Sequence, residues 1–202
     1  MAAGQRRPRG ETRRRILRLA AQWLQQRGYH GFSFGQIAAA LEIRSSAVHY
    51  HFATKEALVT AVFAAYREHF IWWREQLGQT SPSPTARLRR FLDLTGRNLE
   101  RERVDPLGVA GVEYASLPSA ACAEAEGLRE DLLAFLADAL AEGREIGEFG
   151  FYADPADEAR VILAAAQGAL QLARLNGPAD FIAVRRSLLE GLRGGASDPP
   201  FC

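Results

Sequence analysis

Almost every long stretch of this chain repeats its apolar residues at steps of three and four, and none alternates apolar with polar residues between hairpin turns. A period near 3.6 gathers apolar side chains on one face of a helix, and such a face is stable only when buried against other helices. The chain is therefore expected to be all-α, with about nine helices. The expected order is an N-terminal three-helix unit followed by a larger helical body.

Local punctuation divides the pattern. A first helix over residues 12–27 carries the stripe Ile16, Leu17, Ala20, Trp23 and Leu24, with Thr12 as its cap and Gly28 closing it. Ser33 caps a short helix over 34–41, the turn at Glu42 and Ile43 follows, and a third helix covers 45–51. Thr54 caps a fourth whose face is Val59, Phe63, Tyr66, Phe70, Trp73 and Leu77. Further helices are expected over 85–103, 109–116 and 120–143, with "DPLG" read as a break between the first two. Asp154 caps the eighth, Pro155 takes its first position and Gly177 ends it. The ninth covers 178–192, and the tail "GGASDPPFC" is expected to fray.

Charge is unevenly distributed. Residues 1–55 hold ten Lys/Arg against two Asp/Glu, a net of +8, whereas residues 56–202 hold fifteen against twenty-two, a net of −7. A basic head on an acidic body is the electrostatic footprint of a polyanion-binding unit. The boundary is accordingly drawn between 1–55 and 56–202, with helix four, 54–77, connecting the two. No apolar run approaches the ~18 residues that span a bilayer. The opening "MAAGQRRPRGETRRR" has no apolar segment behind it, so neither a membrane partner nor a secretory signal is expected. Two cysteines, Cys122 and Cys202, make no disulfide framework and point to a reducing cytoplasm. No phosphate-binding Gly loop, nucleophile elbow or metalloprotease motif is present, which argues against an enzyme and against a cofactor. His49 and His51 are two apart and diverge on a helix, so no metal site is expected there.

Helices two and three are short and separated by a tight turn, the layout in which the second helix enters the major groove of DNA. Ile37, Leu41, Ile43 and Val48 supply the small core between them, and Ala38 marks their closest approach. The groove-facing residues are then Arg44, Ser45, Ser46, His49 and Tyr50. Ser33, Ser45 and Ser46 suit phosphates or base edges, Ala47 a thymine methyl, and His49, Tyr50 and His51 phosphates. His51 is alternatively a packing residue beside Phe52. Lys55 is a point-charge phosphate clamp, and Arg6, Arg7, Arg9, Arg13 and Arg14 can follow the backbone or reach the minor groove.

The run "FSFGQIAAALEIRSSAVHYHFATKEAL", residues 32–58, with "GYHGF" before it, resembles the DNA-binding signature of TetR-type transcriptional regulators. It differs from that family's usual pattern at Glu42, where Gly is common, at His49, where Tyr is, and at Ala53, where Pro is. A positive φ at Glu42 would cost about 1 kcal/mol.

The body offers a sensor and a subunit contact. Helix eight, "VILAAAQGALQLA", is apolar nearly all round, so burial on two sides is expected. Ala165, Gly168, Ala169 and Leu172, with Phe181, Val184 and Leu188 of helix nine, would form a four-helix bundle across a two-fold axis, and the resemblance implies the same homodimer. Such a dimer would span a palindromic operator in double-stranded DNA. The resemblance further implies a small-molecule effector in the body, whose expected lining is Phe63, Tyr66, Trp73, Phe91, Leu94, Asn98, Tyr114, Phe135 and Gln167. For Trp72 and Trp73, core packing competes with a ligand role, and Cys122 is expected to be buried and structural. The expected function is a dimeric repressor that a ligand releases from its operator, with helix four as the lever. The rival reading is a helical ligand-binding protein whose head no longer reads DNA.

Overall fold

The computed structural model describes residues 9–80 and 82–194. Arg6, Arg7, Cys202 and all but the first residue of the glycine-led tail lie outside them. The described residues form nine α-helices and one 3-10 turn, without a strand: α1 (Arg9–Arg27), the 3-10 turn (Tyr29–Gly31), α2 (Phe34–Ala40), α3 (Ser45–His51), α4 (Lys55–Gly78), α5 (Pro84–Glu100), α6 (Pro106–Glu113), α7 (Ser119–Glu145), α8 (Pro155–Asn176) and α9 (Ala179–Gly194).

Most caps fall where the sequence puts them. The Ser33 hydroxyl accepts from Gln36 N–H while the Gln36 side chain accepts from Ser33 N–H, a reciprocal pair that satisfies two free donors at the start of α2. Thr54 accepts from Ala57 N–H at the start of α4, and Asp154 from Ala156 N–H at the start of α8. Several boundaries differ. Helix α1 begins at Arg9, so Thr12 lies within it and Glu11 is the acid of its first turn. The segment "DPLG" does not merely break the chain. Asp105 caps α6 through Leu107 N–H and Pro106 opens it, as Asp154 and Pro155 do for α8. Helix α5 consequently stops at Glu100, and α7 begins at Ser119 with Pro118 as its cap residue.

Among the described residues, two other than glycine hold a left-handed backbone, Glu42 (φ 54°) and Glu102 (φ 52°). Both close a helix in the same way. After α2, Ile43 N–H donates to Ala38 O and Glu42 N–H to Ala39 O. After α5, Arg103 N–H donates to Asn98 O and Glu102 N–H to Leu99 O. These are the paired bonds of a helix terminus that glycine ordinarily serves. They fix the angle between α2 and α3 and the entry to the α5–α6 loop.

The buried side chains gather in two main groups. One joins Ile16, Ala20 and Leu24 of α1, Ile37 and Ala38 of α2, Val48 of α3 and Leu58, Val59, Val62 and Phe63 of α4 to Val109 of α6 and Ala121 and Cys122 of α7. The other joins Phe70 and Leu77 of α4 to Leu88 and Phe91 of α5, Leu136 and Leu140 of α7 and Ile162 of α8. Tyr66 packs against both. No helix of the described residues is long and apolar enough to cross a membrane.

Relieving the left-handed strain at Glu42 should stabilise the chain. Glu42→Gly removes a cost of roughly 1–2 kcal/mol and gives some back as unfolded-state entropy. The expected net gain is about 0.5–1 kcal/mol, a rise in Tm of roughly 1–4 °C in a thermal melt followed by circular dichroism.

Candidate nucleic-acid interface and the adjoining cavity

Val48 anchors α3. It is fully buried between α1, α2 and α4, and its burial turns the neighbouring residues outward. Arg44, Ser45, Ser46, His49 and Tyr50 are exposed, while Ala47 and His51 are half-buried. Tyr50, 74% exposed, is the most prominent apolar surface of the head. The His49 ring stands edge-on to Phe34 at 4.9 Å, and Tyr50 edge-on to His51 at 5.1 Å, so both histidines are oriented by aromatic neighbours. No side chain caps α3, which leaves the Ser45 and Ser46 N–H groups directed outward. The Ser33 hydroxyl accepts within its capping box and keeps its O–H to donate.

Several basic side chains of the head are held by contacts within it. Arg13 lies 5.0 Å from the centre of the Phe52 ring, Arg14 donates to Gly10 O, and Arg15 donates to Leu41 O at the end of α2. Lys55 is tied more tightly than the sequence suggests. Its ammonium donates to Phe32 O at 2.6 Å and sits 4.6 and 4.8 Å from the Phe32 and Tyr29 ring centres. Burial lowers the Lys55 pKa, and Glu113 and Glu56 act the other way. Lys55 thus staples the loop before α2 to the start of α4.

The head meets the body through polar contacts that border a cavity of about 410 Å³. Gln25 of α1, 4% exposed, is the central link. Its backbone oxygen accepts from Val104 N–H, and its side-chain amide donates to Val104 O at 2.8 Å and to Asn98 Oδ1 at 3.4 Å. Asn98 donates in turn to Asp105 Oδ2, and Gln167 of α8 donates to Asp105 Oδ1. Burial raises the Asp105 pKa, against the bonds from Gln167 and Leu107 N–H. Tyr66 of α4 donates to Ala21 O, and burial raises its phenol strongly. Beyond the cavity, the Glu113 carboxylate accepts from Tyr29 N–H at 2.6 Å. Gly28 (φ 77°) lets the chain turn there, and a Cβ at Gly28 would collide with that carboxylate.

Of the residues expected around a ligand, Tyr66, Phe91, Leu94, Asn98 and Gln167 line this cavity. The other four lie elsewhere. Phe63 is fully buried in the head core, Trp73 packs between Phe70 and Phe135, Phe135 belongs to that cluster, and Tyr114 is 56% exposed with its hydroxyl donating to Glu126. A helical stripe identifies which residues are buried, and burial in a core looks the same in sequence as burial around a hole. Gln25, Arg101, Arg103 and Asp105 also line the cavity; nothing in the sequence points them to it, because the first comes from the head and the rest from a loop.

The expected subunit face is similarly divided. Gly168 and Leu172 face outward, and a Cβ at Gly168 would meet nothing within 4 Å. Ala165 is half-buried. Ala169 and Phe181 are used within the chain, buried with Leu170 and Ala173, while Val184 and Leu188 pack half-buried against the chain's own cores. The outward apolar residues of α8 and α9 are Val161, Leu172, Leu175 and Ile182. Cys122 is buried near the Tyr114 and Leu117 carbonyls. No cluster of His, Cys, Asp or Glu among the described residues could hold a metal ion.

Replacing Gln25 tests the strength of the joint. Gln25→Leu keeps the volume but leaves Val104 O without its side-chain donor, an expected loss of about 1–3 kcal/mol in denaturant unfolding.

Comparison with known proteins agrees with this architecture. The family model "Bacterial regulatory proteins, tetR family" matches residues 16–62, and "Tetracyclin repressor-like, C-terminal domain" matches residues 84–188. No curated protein matches the chain. Among solved structures, a TetR-family transcriptional regulator from Agrobacterium tumefaciens superposes with a TM-score of 0.86 at 23% identity, covering 92% of this chain and 99% of that one. A TetR transcriptional regulator from Legionella pneumophila gives 0.80 at 26% identity, covering 90% and 97%. The Bacillus subtilis regulator FadR, solved in complex with stearoyl-CoA, gives 0.69 at 18% identity, covering 91% and 99%. With its head and most of its body matched by the two family models, the chain belongs to the TetR family of bacterial transcriptional regulators.

Proposed function

We propose that the protein is a homodimeric repressor that binds a palindromic operator through α3 and leaves it when a small molecule occupies the cavity beside Gln25. The observation that carries this reading is the shared position of Gln25. It is a residue of the DNA-binding head, and it lines the cavity of the body while bonded to the α5–α6 loop. A ligand that favours one arrangement of that loop therefore acts on α1 and on the head that α1 supports. The shift it produces is limited to its affinity ratio for the two arrangements.

DNA binding is supported by the exposed polar face of α3 and by the basic side chains held within the head. Base edges would be read from Ser45, Ser46 and Ala47. Ser33, Arg44, His49, Tyr50, His51 and Lys55 would hold phosphates and so set the register without carrying sequence information. The dimer is supported by the outward apolar residues Val161, Leu172, Leu175 and Ile182 around the open backbone of Gly168. Water contact at such a face is unfavourable, and close helix pairing across a two-fold axis relieves it. That axis would set two α3 helices about one DNA turn apart, ~34 Å or slightly more. The bound stearoyl-CoA of FadR lends the cavity an analogy, as a ligand held by a protein of this fold.

Selection of bound sites from randomised duplex DNA tests the reading. An enriched palindrome is expected with the parent chain, and a weakened one with His49→Ala. Enrichment of no sequence, with only salt-sensitive binding, would leave a helical ligand-binding protein without a specific operator. Lys55→Met should reduce the slope of log affinity against log salt by roughly one phosphate contact. Leu172→Glu places a charge at the subunit contact and should shift the protein from dimer to monomer in light scattering, with loss of operator binding.

A further inference from the structure

The cavity lining carries two chemistries. Phe70, Phe91, Leu94, Leu128, Leu132 and Leu163 give it an apolar surface. Three arginines also line it, Arg97, Arg101 and Arg103, all from the end of α5 and the loop that follows. None of these guanidiniums makes a hydrogen bond or an ion pair among the described residues. Four other arginines of the body do reach a carboxylate, Arg67 at Asp131, Arg87 at Glu142, Arg160 at Asp157 and Arg185 at Asp93, although the Nε–H groups of Arg87 and Arg185 are also buried without an acceptor. Arg97 and Arg101 are exposed and hydrated, but Arg103 is half-buried and its Nε–H is buried without an acceptor. A buried donor left unpaired is costly, and a guanidinium satisfies it best with an anionic oxygen. The one carboxylate on the wall, Asp105, does not serve. Its oxygens are taken by Leu107 N–H, Gln167 and Asn98.

We infer that the effector is an anionic amphiphile, with a carboxylate or similar small anionic head held at Arg103, Arg101 and Arg97, and an apolar body laid along the leucine and phenylalanine side chains. The inference rests on the reading of this cavity as the effector site. The volume of about 410 Å³ falls within the ~300–1,000 Å³ of ordinary ligand sites. With three guanidiniums against one carboxylate, the wall attracts an anion and repels a cation. The head would sit next to the joint, because Val104, which holds Gln25, is flanked in the chain by Arg103 and Asp105.

Titration calorimetry of the purified full chain with decanoate, 1-decanol and decylamine, each below its micelle concentration, tests this. Decanoate is expected to bind about tenfold more tightly than 1-decanol, with decylamine the weakest. Arg103→Gln and Arg101→Gln should each weaken decanoate by about tenfold and leave 1-decanol nearly unchanged, as loss of a charge-assisted bond to the head requires. Leu132→Trp, which fills the cavity from its apolar surface, should abolish binding of both, and Leu128→Trp serves if that variant does not fold. Tighter or equal binding of 1-decanol or decylamine, still abolished by the tryptophan, overturns the anionic head and leaves the cavity reading standing. Unchanged decanoate affinity in both arginine variants overturns the head in the same way. Binding that the tryptophan leaves intact, or no binding by any of the three, overturns the cavity reading and the inference with it.

Discussion

Helix α4 belongs to two cores at once, and the relation between head and body depends on that double burial. Leu58, Val59, Val62 and Phe63 are buried against α1, α2 and α3, and Phe70 and Leu77 against α5, α7 and α8. Each fully buried apolar side chain contributes roughly 1.5–3 kcal/mol relative to exposure. Neither end of the helix can therefore shift without loss of packing in one core or the other. Tyr66 stands where the two meet and donates its hydroxyl to Ala21 O of α1, so the change from one core to the next is also tied by a buried hydrogen bond.

A second tie crosses the same boundary by polar contacts. Gln25, Val104, Asn98, Asp105 and Gln167 make a chain of hydrogen bonds from α1 through the α5–α6 loop to α8. Apolar packing resists displacement over a broad area, whereas a hydrogen-bonded chain depends on the geometry of a few atoms. The proposed effector would act through the polar tie, because the cavity lies against it. Strain is held at both turns that aim these elements, Glu42 in the head and Glu102 at the start of the loop.

The helix-turn-helix was legible because its requirements are local. Ser33 caps α2, Thr54 caps α4, Ala38 permits close approach and Val48 is buried, and each follows from residue type and spacing. Asp105–Pro106 is legible in the same way, since it carries the helix-start signature of Asp154–Pro155. The lining of the cavity was half-legible. Tyr66, Phe91, Leu94, Asn98 and Gln167 lie on the inward faces of helices, but so do Phe63, Trp73 and Phe135, and a single chain's periodicity does not separate a side chain facing a hole from one facing another side chain. The outward face of α8 shows the same limit: Ala169 and Leu172 share one apolar run, and only helix rotation against α9 buries the first and exposes the second.

The sequence by itself determined the helical class, most of the helix boundaries, the family and the outward residues of α3, because those depend on periodicity, caps and spacing within a few turns. Tertiary structure alone decided that Gln25 crosses from head to cavity, that Lys55 is held over Phe32 and Tyr29, and that three arginines line one cavity with leucine and phenylalanine side chains. These facts depend on how distant segments approach one another. The approach is set by the packing of whole helix faces, and no short stretch of residues encodes it.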